Sequence, residues 1–301
     1  MDRVLEYEIP SEYDGANITT VLKRHFKIST NLIKDLKKYK EGIQVNGEHR
    51  RVVDFVAKGD ILKITIRDTA SENIVPTDIP LDIVYEDEDV LVINKPPNMP
   101  THPSMGNYEN SLANGVMYYY KSKGEERVFR AVNRLDKDTS GLMAVAKNSY
   151  IHARLGEEIQ KKELKRKYMC IVCGDVEHDG TVDAPIRRAD GSVINRIVAP
   201  DGQRAVTHYR VIKRYREYTL LEMELETGRT HQIRVHMAYI GHPLVGDWLY
   251  GTENHNIAKR QMLHSCYLCF THPITGQIMD QTFAVRRRKG IPGQNPVFHS
   301  P

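Results

Sequence analysis

Short apolar segments separated by tight turns make up most of this chain and limit the folds open to it. In "LDIVYEDEDVLVINK" (81–95), two apolar runs flank an acidic turn, a pattern that predicts a β-hairpin. The segments "AVTHYRVIKRY" (205–215) and "TLLEMELETG" (219–228) predict a long antiparallel pair of strands. Strands outnumber helices and follow short turns, so we expect an α+β fold with a large, mainly antiparallel or mixed sheet.

Two helices are predicted beside this sheet. One covers about residues 149–162, and the other lies in "THQIRVHMAYIG" (230–241). Thr230 is predicted to be the N-cap of the second helix, with Gly241 just beyond its end. Four prolines follow the hairpin, in "KPPNMPTHP" (95–103), and predict a surface loop.

The first 70 residues predict a small α+β unit of their own. Ser29 or Thr30 can cap a helix with apolar residues at helical spacing, and Gly42 lies beyond its expected end. "IQVNG" (43–47) and "DILKITI" (60–66) then predict short strands.

A linker is expected at 68–78, "DTASENIVPTD", because turn residues cluster there. Such a linker suggests that the parts before and after it have separate cores. We therefore divide the chain into an N-terminal domain at 1–70, a larger domain at 71–289 and a tail at 290–301.

Positive charge is concentrated in three stretches, although the net charge of the 301-residue chain is only +4. Seven Lys or Arg and a single acid lie between residues 23 and 40, and "KKELKRK" (161–167) and "RRRK" (286–289) repeat the pattern. One such run is usually a solvated surface, but three at a pI near 8.7 favour a polyanionic partner, with nucleic acid first. In the first stretch we assign RNA contacts to Lys34, Lys37 and Lys38.

Several classes of protein are not favoured by the sequence. No segment approaches the roughly 20 apolar residues that span a bilayer. The start, "MDRVLEYEIP", lacks the layout of a signal peptide, so we expect no membrane partner and a cytoplasmic location. There is no G-x-G-x-x-G or Walker loop, so no nucleotide cofactor is expected.

The four cysteines form two C-x-x-C pairs, Cys170/Cys173 and Cys266/Cys269, a spacing also found in zinc sites. Both pairs lie in apolar segments of strand character, the first within a strand predicted at 166–173. Residues three apart in a strand point to opposite faces, so one pair could not bind one ion. We therefore predict buried free thiols and no metal site.

The polar turn in "RAVNRLDKDTSGLMAVAKN" (130–148) allows two interpretations. Asp, Thr, Ser and Gly are typical of turns, because short polar side chains bond to their own backbone. Alternatively, Asp136 is a catalytic carboxylate at the edge of a sheet, since an apolar run of strand character follows at once. The turn alone does not decide between them.

Four motifs, in order, resemble those of the RluA/RluD-type pseudouridine synthases: "NRLDKDTSGLMAVAK", "KRKYMCIVCG", "LETGRTHQIRVHMAYIGHPLVGDWLYG" and "RQMLHSCYLCFTHP". "VLVINKPPNMPTHP" matches the entry segment of that family, and the resemblance covers about residues 80–285. The N-terminal unit resembles the S-four-type (alpha-L) RNA-binding domain through "VNG" at 45–47 and "GDI" at 59–61. One departure is Asn133, where the family usually has His. That histidine is not the nucleophile, so the change bears on local support or RNA contact.

The resemblance implies an enzyme that isomerises uridine to pseudouridine in RNA without cofactor or metal. It implies that Asp136 acts as nucleophile or base, that Arg234 pairs with it, and that Tyr168 presents its ring to the uracil. Arg134 would enter the gap left by the flipped base, and Arg229 is an alternative cation and RNA contact. Thr139, Ser140 and Gly141 are expected to shape the turn, and no chemistry is assigned to His231, His236 or His264.

The resemblance favours large-subunit ribosomal RNA as the substrate, with transfer RNA second and a monomeric enzyme expected. Two other functions stay open. One is a catalytically inactive RNA-binding protein on the same scaffold, and the other is an RNA N-glycosylase that releases the base.

Overall fold

The computed structural model describes residues 2–67, 74–251 and 258–282. The expected α+β class is confirmed, with strands in the majority. The strands are β1 (Arg3–Glu8), β2 (Ile43–Val45), β3 (Glu48–His49), β4 (Ile61–Ile66), β5 (Ile83–Glu86), β6 (Val90–Lys95), β7 (Ser140–Ala146), β8 (Lys165–Cys173), β9 (Gly180–Asp183), β10 (Ile186–Arg188), β11 (Arg196–Val198), β12 (Val206–Arg214), β13 (Tyr218–Leu225), β14 (Leu263–Thr271) and β15 (Ile278–Thr282). The α-helices are α1 (Ile18–Arg24), α2 (Thr30–Leu36), α3 (Leu112–Ser122), α4 (Ser149–Gln160) and α5 (Gln232–Tyr239).

Within the described residues, the N-terminal unit is a four-stranded sheet in the order β1-β4-β2-β3 with α1 and α2 beside it. Ser29 is the N-cap of α2 and accepts a hydrogen bond from the Leu32 amide at 3.2 Å, as predicted. The helix ends at Leu36, so Gly42 lies beyond its end, as expected. Gly42 ends a short 3-10 turn packed against that helix end, where a Cβ would collide with the Leu36 carbonyl.

The large sheet has nine strands among the described residues, in the order β5-β6-β7-β14-β8-β13-β12-β9 with β15 beside β14. Both predicted antiparallel pairs, β5–β6 and β12–β13, are present. Most neighbours are antiparallel, whereas β14 pairs with β7 in parallel through His264–Ser140 and Ser265–Gly141. The sheet is therefore mixed.

Both faces of β6 are buried, because its side chains alternate between two cores. Leu91 and Ile93 belong to a core that contains α3 and α5, and Val90 and Val92 belong to a core that contains α4. This layering explains why β6 reads as a continuous apolar run instead of an alternating one.

The N-terminal unit shares its hydrophobic core with the large domain, so the expectation of separate cores is wrong. Ile28 and Leu36 belong to the same buried cluster as Ile151 and Leu155 of α4. Part of the predicted linker, 68–73, and the tail at 290–301 lie outside the described residues, so the domain boundaries at 70 and 289 stay predictions.

Polar contacts also join the N-terminal unit to the large domain. The Arg3 guanidinium donates two hydrogen bonds of 2.9 Å to Asp89, which Asn148 also contacts. The Tyr150 hydroxyl donates to the Phe26 carbonyl at 2.9 Å.

The N-cap of α5 is His231 and not the predicted Thr230. His231 has φ 59, the left-handed conformation that side chains other than Gly rarely adopt. Gly241 has φ +85 just after the helix end, as predicted. None of the helices in the described ranges is long and apolar enough to cross a membrane.

Both cysteine pairs lie in strands, β8 and β14, as predicted. Only Cys170 is buried, whereas the other three, which are free thiols as well, are half-buried, so the expectation of full burial is wrong for them. No group of three or more His, Cys, Asp or Glu able to hold a metal occurs among the described residues.

Candidate active site

A cleft of about 920 Å³ opens where the proline loop, the turn before β7, the end of β13 and the start of α5 meet. Its lining includes six residues singled out for their chemistry: Arg134, Asp136, Tyr168, Arg229, His231 and Arg234. Five of these were predicted from the sequence as site residues, and His231 was not. The fold thus brings together side chains that lie up to 100 positions apart.

Arg234 lies between two carboxylates. Its Nε and Nη2 donate to Asp247 at 2.7 and 2.8 Å, and its Nη1 donates to Asp136 at 3.3 Å. The Asp247 side chain is fully buried, whereas that of Asp136 is 25% exposed toward the cleft. Arg234, rather than Arg229, is therefore the cation at Asp136.

This geometry fixes the charge of Arg234. Burial alone would lower the pKa of the guanidinium, but the hydrogen bonds and charge of Asp247 outweigh it and raise the pKa above its ordinary value. The bidentate pair also fixes the orientation of the guanidinium plane, which a lysine could not do.

His231 extends the site on the other side of Asp136. Its Nε2 lies 3.9 Å from the Asp136 carboxylate, and its Nδ1 lies 2.8 Å from the Tyr250 hydroxyl. The Tyr250 oxygen accepts the Arg196 amide at 2.9 Å, so its own proton is available for Nδ1. The neutral ring then carries its proton on Nε2, which points at the carboxylate. Burial lowers the pKa of His231 and so favours this neutral form.

Two basic side chains, buried Lys95 and half-buried Arg260, hold the turn from behind. Lys95 Nζ donates to the carbonyls of Pro96, Met99 and Lys137 at 2.9, 2.7 and 3.0 Å. Arg260 donates to the Asp138 carbonyl at 3.1 Å and to Ser140 Oγ at 3.2 Å. Burial lowers the pKa of Lys95 to about 7. The carbonyls of the two residues after Asp136 thus each accept a hydrogen bond from a basic side chain of another part of the chain.

The backbone around the turn is fixed as well. Asn133 is buried, and its side-chain oxygen accepts the Ala144 amide of β7 at 2.9 Å. This contact assigns Asn133 to local support, one of the two roles considered for it. Gly141 has φ +115, and a Cβ there would collide with the backbone of Ser265. Only glycine lets β14 approach the turn this closely.

The remaining predicted residues divide between the cleft and the distant N-terminal unit. Tyr168 is buried in β8 at the cleft, whereas Arg134 and Arg229 are exposed at it. Lys34 and Lys37 are exposed on or just after α2, and Lys38 pairs with Asp35 at 2.6 Å. The lysines are not part of the cleft lining.

Sequence reasoning missed several residues that complete the site: Asp247, Tyr250, His231, Lys95 and Arg260. One signal was available, since an Arg beside apolar neighbours needs a carboxylate partner. Asp247 lies within the quoted motif "LETGRTHQIRVHMAYIGHPLVGDWLYG".

Comparison with known proteins identifies the family. The RNA pseudouridylate synthase family matches residues 89–239, which contain Asp136, Tyr168 and Arg234. The chain belongs to this family of RNA-modifying enzymes. Its fold is also similar to a human RNA pseudouridylate synthase domain-containing protein 1, with a TM-score of 0.58 and 23% identity over 69% of this chain and 84% of that chain.

Two bacterial relatives are more similar in sequence. The uncharacterized RNA pseudouridine synthase YjbO of Bacillus subtilis is 45% identical over 254 residues, covering 84% of this chain and 89% of the relative. The ribosomal large subunit pseudouridine synthase D of Pasteurella multocida is 41% identical over 252 residues, 79% of this chain and 78% of the relative. The N-terminal unit lies outside the residues that the family model matches.

Proposed function

We propose that this enzyme converts specific uridines of large-subunit ribosomal RNA to pseudouridine, with Asp136 as the catalytic carboxylate. The relative from Pasteurella multocida, which is named for the large ribosomal subunit, supports this substrate over transfer RNA. The observation that carries the mechanism is the partly exposed Asp136, hydrogen-bonded to buried Arg234 in a cleft beside Tyr168. A ribosomal substrate also favours the cytoplasmic location expected from the sequence.

The reaction breaks the bond between N1 of uracil and C1′ of ribose, turns the base and joins C5 to C1′. A proton then leaves C5, and N1 gains one, so atoms and electrons balance without a co-reactant. Asp136 starts the sequence as a nucleophile on the sugar or as a base. Arg234 keeps the carboxylate charged in a site from which the bound nucleotide removes water.

The walls of the cleft would hold the extruded base. Extruding a base costs a few kcal/mol, which stacking and polar contacts must offset. Tyr168 is buried in the cleft wall and offers its ring to the uracil. Arg134, which is exposed two residues before Asp136 and lines the cleft, would fill the gap in the RNA.

His231 acts as a positioning residue in this proposal. Its Nε2 proton points at the Asp136 carboxylate, so it favours one rotamer of that side chain. Its left-handed backbone is a strained conformation of the kind that clusters at functional sites.

Ribosomal RNA fragments carrying tritium at C5 of uridine test the function. Isomerisation releases tritium to water without free uracil, whereas an N-glycosylase releases uracil that retains the label. An inactive RNA-binding protein would bind and release neither. Mapping pseudouridine in cells with and without the gene then identifies the target, and an unchanged map of ribosomal RNA would contradict the assignment.

A further inference from the structure

A second, smaller pocket of about 390 Å³ lies beside the catalytic cleft and shares residues 228–230 with it. The short hairpin β10–β11 forms its other wall. Four arginines line this pocket, against one acid, Asp201: Arg187, Arg188, Arg196 and Arg229. Its lining is therefore strongly positive.

The ion pairs leave two of these guanidinium groups available. Arg187 is paired with Asp190 at 2.8 Å and with Asp201 at 2.9 Å, which uses the acid of the pocket. Arg188 is exposed and has no side-chain partner within the described part of the chain. Arg229 is exposed, and its Nε donates to the Arg204 carbonyl at 3.1 Å. That contact orients the side chain and leaves its two terminal nitrogens for a ligand.

Arg196 stiffens the hairpin instead of adding a free charge. Its Nη1 donates to the carbonyls of Ile194 and Asn195 at 3.0 and 3.1 Å, within the hairpin turn. The tip exposes Val193 and Ile194, by 79% and 50%. Exposed aliphatic groups beside free arginines are suited to a partner that offers both phosphates and base faces.

The hairpin is also fixed relative to the catalytic carboxylate. The Arg196 amide donates to Tyr250, and Tyr250 bonds His231, which borders Asp136. A group bound in the pocket is thus held in a defined position relative to the reacting sugar.

We propose that this pocket binds a backbone phosphate of the RNA strand that carries the target uridine, through Arg188 and Arg229. The planar guanidinium matches the phosphate geometry with two parallel hydrogen bonds. The volume of about 390 Å³ is large enough for a phosphate with its sugar, and the shared residues 228–230 put the pocket beside the cleft that would hold the target uridine. The proposal rests on the RNA substrate of the proposed function and adds a contact that selects strand geometry.

Binding of a short stem–loop of large-subunit ribosomal RNA tests this site. We expect Arg188→Gln to weaken binding about tenfold, the loss expected for one charge-assisted hydrogen bond. The slope of log K against log salt should fall by about 0.7 to 0.9, one phosphate contact. Arg216→Gln is the matched control, because Arg216 is also exposed and has no partner among the described residues. It should bind like the native chain, and Arg188→Lys should recover part of the loss.

A methylphosphonate scan identifies the ligand. Replacing one phosphate at a time by its neutral analogue should reveal a linkage whose loss weakens the native protein but not Arg188→Gln. Additive losses at every linkage, or equal binding by Arg188→Gln and Arg216→Gln, would overturn the proposal. Competition by inorganic phosphate without any such linkage would assign the pocket to a free anion and overturn it too. The readout is binding, so it is independent of tritium release.

Discussion

At the residue scale, one arginine, Arg234, donates hydrogen bonds to two carboxylates. Asp247 is completely buried and takes two hydrogen bonds from Arg234, which holds the guanidinium before RNA arrives. Asp136 accepts the third hydrogen bond of Arg234, at 3.3 Å, and a quarter of its side chain stays exposed. The cation is thereby pre-oriented without tying up the carboxylate that meets the substrate.

Replacing Asp136 by Asn tests that carboxylate directly. The amide is nearly isosteric and keeps the turn, but it is neither a nucleophile nor a base. We expect Asp136→Asn to lose all tritium release while RNA affinity changes less than about threefold, since phosphate contacts dominate binding. Asp138→Asn, two residues on in the same turn, is the control and should remain active. Comparable rates for Asp136→Asn and the native enzyme would show that the carboxylate has been misassigned.

The role of His231 can be tested through Tyr250, which holds its ring. Tyr250→Phe removes the proton donated to Nδ1, so the imidazole loses its preferred tautomer and orientation. We expect kcat to fall up to about tenfold, the value of one neutral hydrogen bond, with little change in KM. The acidic limb of the pH–rate profile should move to higher pH, because the neutral ring is no longer favoured.

Tyr239→Phe is the matched control, since Tyr239 is 62% exposed at the end of α5. Thermal melting of both variants separates a loss of positioning from a loss of folding. An unchanged kcat and pH profile in Tyr250→Phe would remove His231 from the mechanism.

Site residues that lie in a recognisable sequence motif could be predicted. Site residues that reach the cleft only through the three-dimensional fold could not. Asp136, Tyr168 and Arg234 each lie in a recognisable stretch, whereas Lys95 and Arg260 reach the turn from distant segments. The N-cap of α5 is one residue later than predicted, and His231 at that position makes no side-chain capping hydrogen bond. The first helical residue, Gln232, turns its side chain back, and its oxygen accepts the Arg229 amide at 2.9 Å and the Thr227 hydroxyl at 2.7 Å.

At the element scale, the N-terminal unit packs against the large domain and shares a hydrophobic core with it. Arg3 of β1 is bonded to Asp89, whose side chain is only 4% exposed. The turn before β6 and the start of α4 therefore depend on the first strand of the chain. Removing residues 1–67 would uncover apolar surface on α4 as well as removing the basic helices.

Arg3→Ala measures the strength of this docking. It leaves Asp89 buried beside Asn148 without its cation, and breaking a buried pair costs about 3 kcal/mol. We expect a lower urea midpoint for the whole chain, with an unfolding free energy reduced by about 2–4 kcal/mol. Arg50→Ala is the control, because its ion pair with Glu48 is exposed and worth less than about 1 kcal/mol. Equal midpoints for the two variants would mean that the units fold separately.

Local elements were the most predictable part of the fold. Both hairpin-type pairs, the α4 start and the α2 cap follow from residues a few positions apart. The parallel pairing of β7 with β14 and the shared core join residues more than 100 positions apart, for which one sequence carries no local signal. For the same reason, the prediction that residues 68–78 separate two independent cores is wrong.

At the scale of the whole molecule, buried histidines control the response to acid. Burial lowers the pKa of His236 and His264, which are buried, and of half-buried His231, and that of His264 falls to about 4. Below about pH 6.5 these histidines bind protons in the unfolded chain but stay neutral in the folded protein. The free energy of unfolding therefore decreases as the pH falls. Glu86 has a pKa lowered to about 2, so its contribution is lost only at lower pH, below about 4.

We therefore expect the free energy of unfolding to fall steadily between pH 7 and about 4.5, with His264 alone contributing roughly 3 kcal/mol at its limit. His264→Gln should flatten this slope in urea titrations at several pH values. His178→Gln, at an exposed position, is the control and should keep the native slope. A native slope in His264→Gln would mean that the ring is protonated in the folded state.

The position of β14 also sets the order in which the enzyme can become active. This strand lies in the middle of the large sheet, yet among the described strands of that sheet only β15 follows it in the chain. Until it emerges from the ribosome, β5–β6–β7 and β8–β13–β12–β9 are two half-sheets with open edges, and the segment bearing Arg260 cannot reach the turn. Chains stalled at increasing length should thus gain activity only once residue 271 has cleared the exit tunnel.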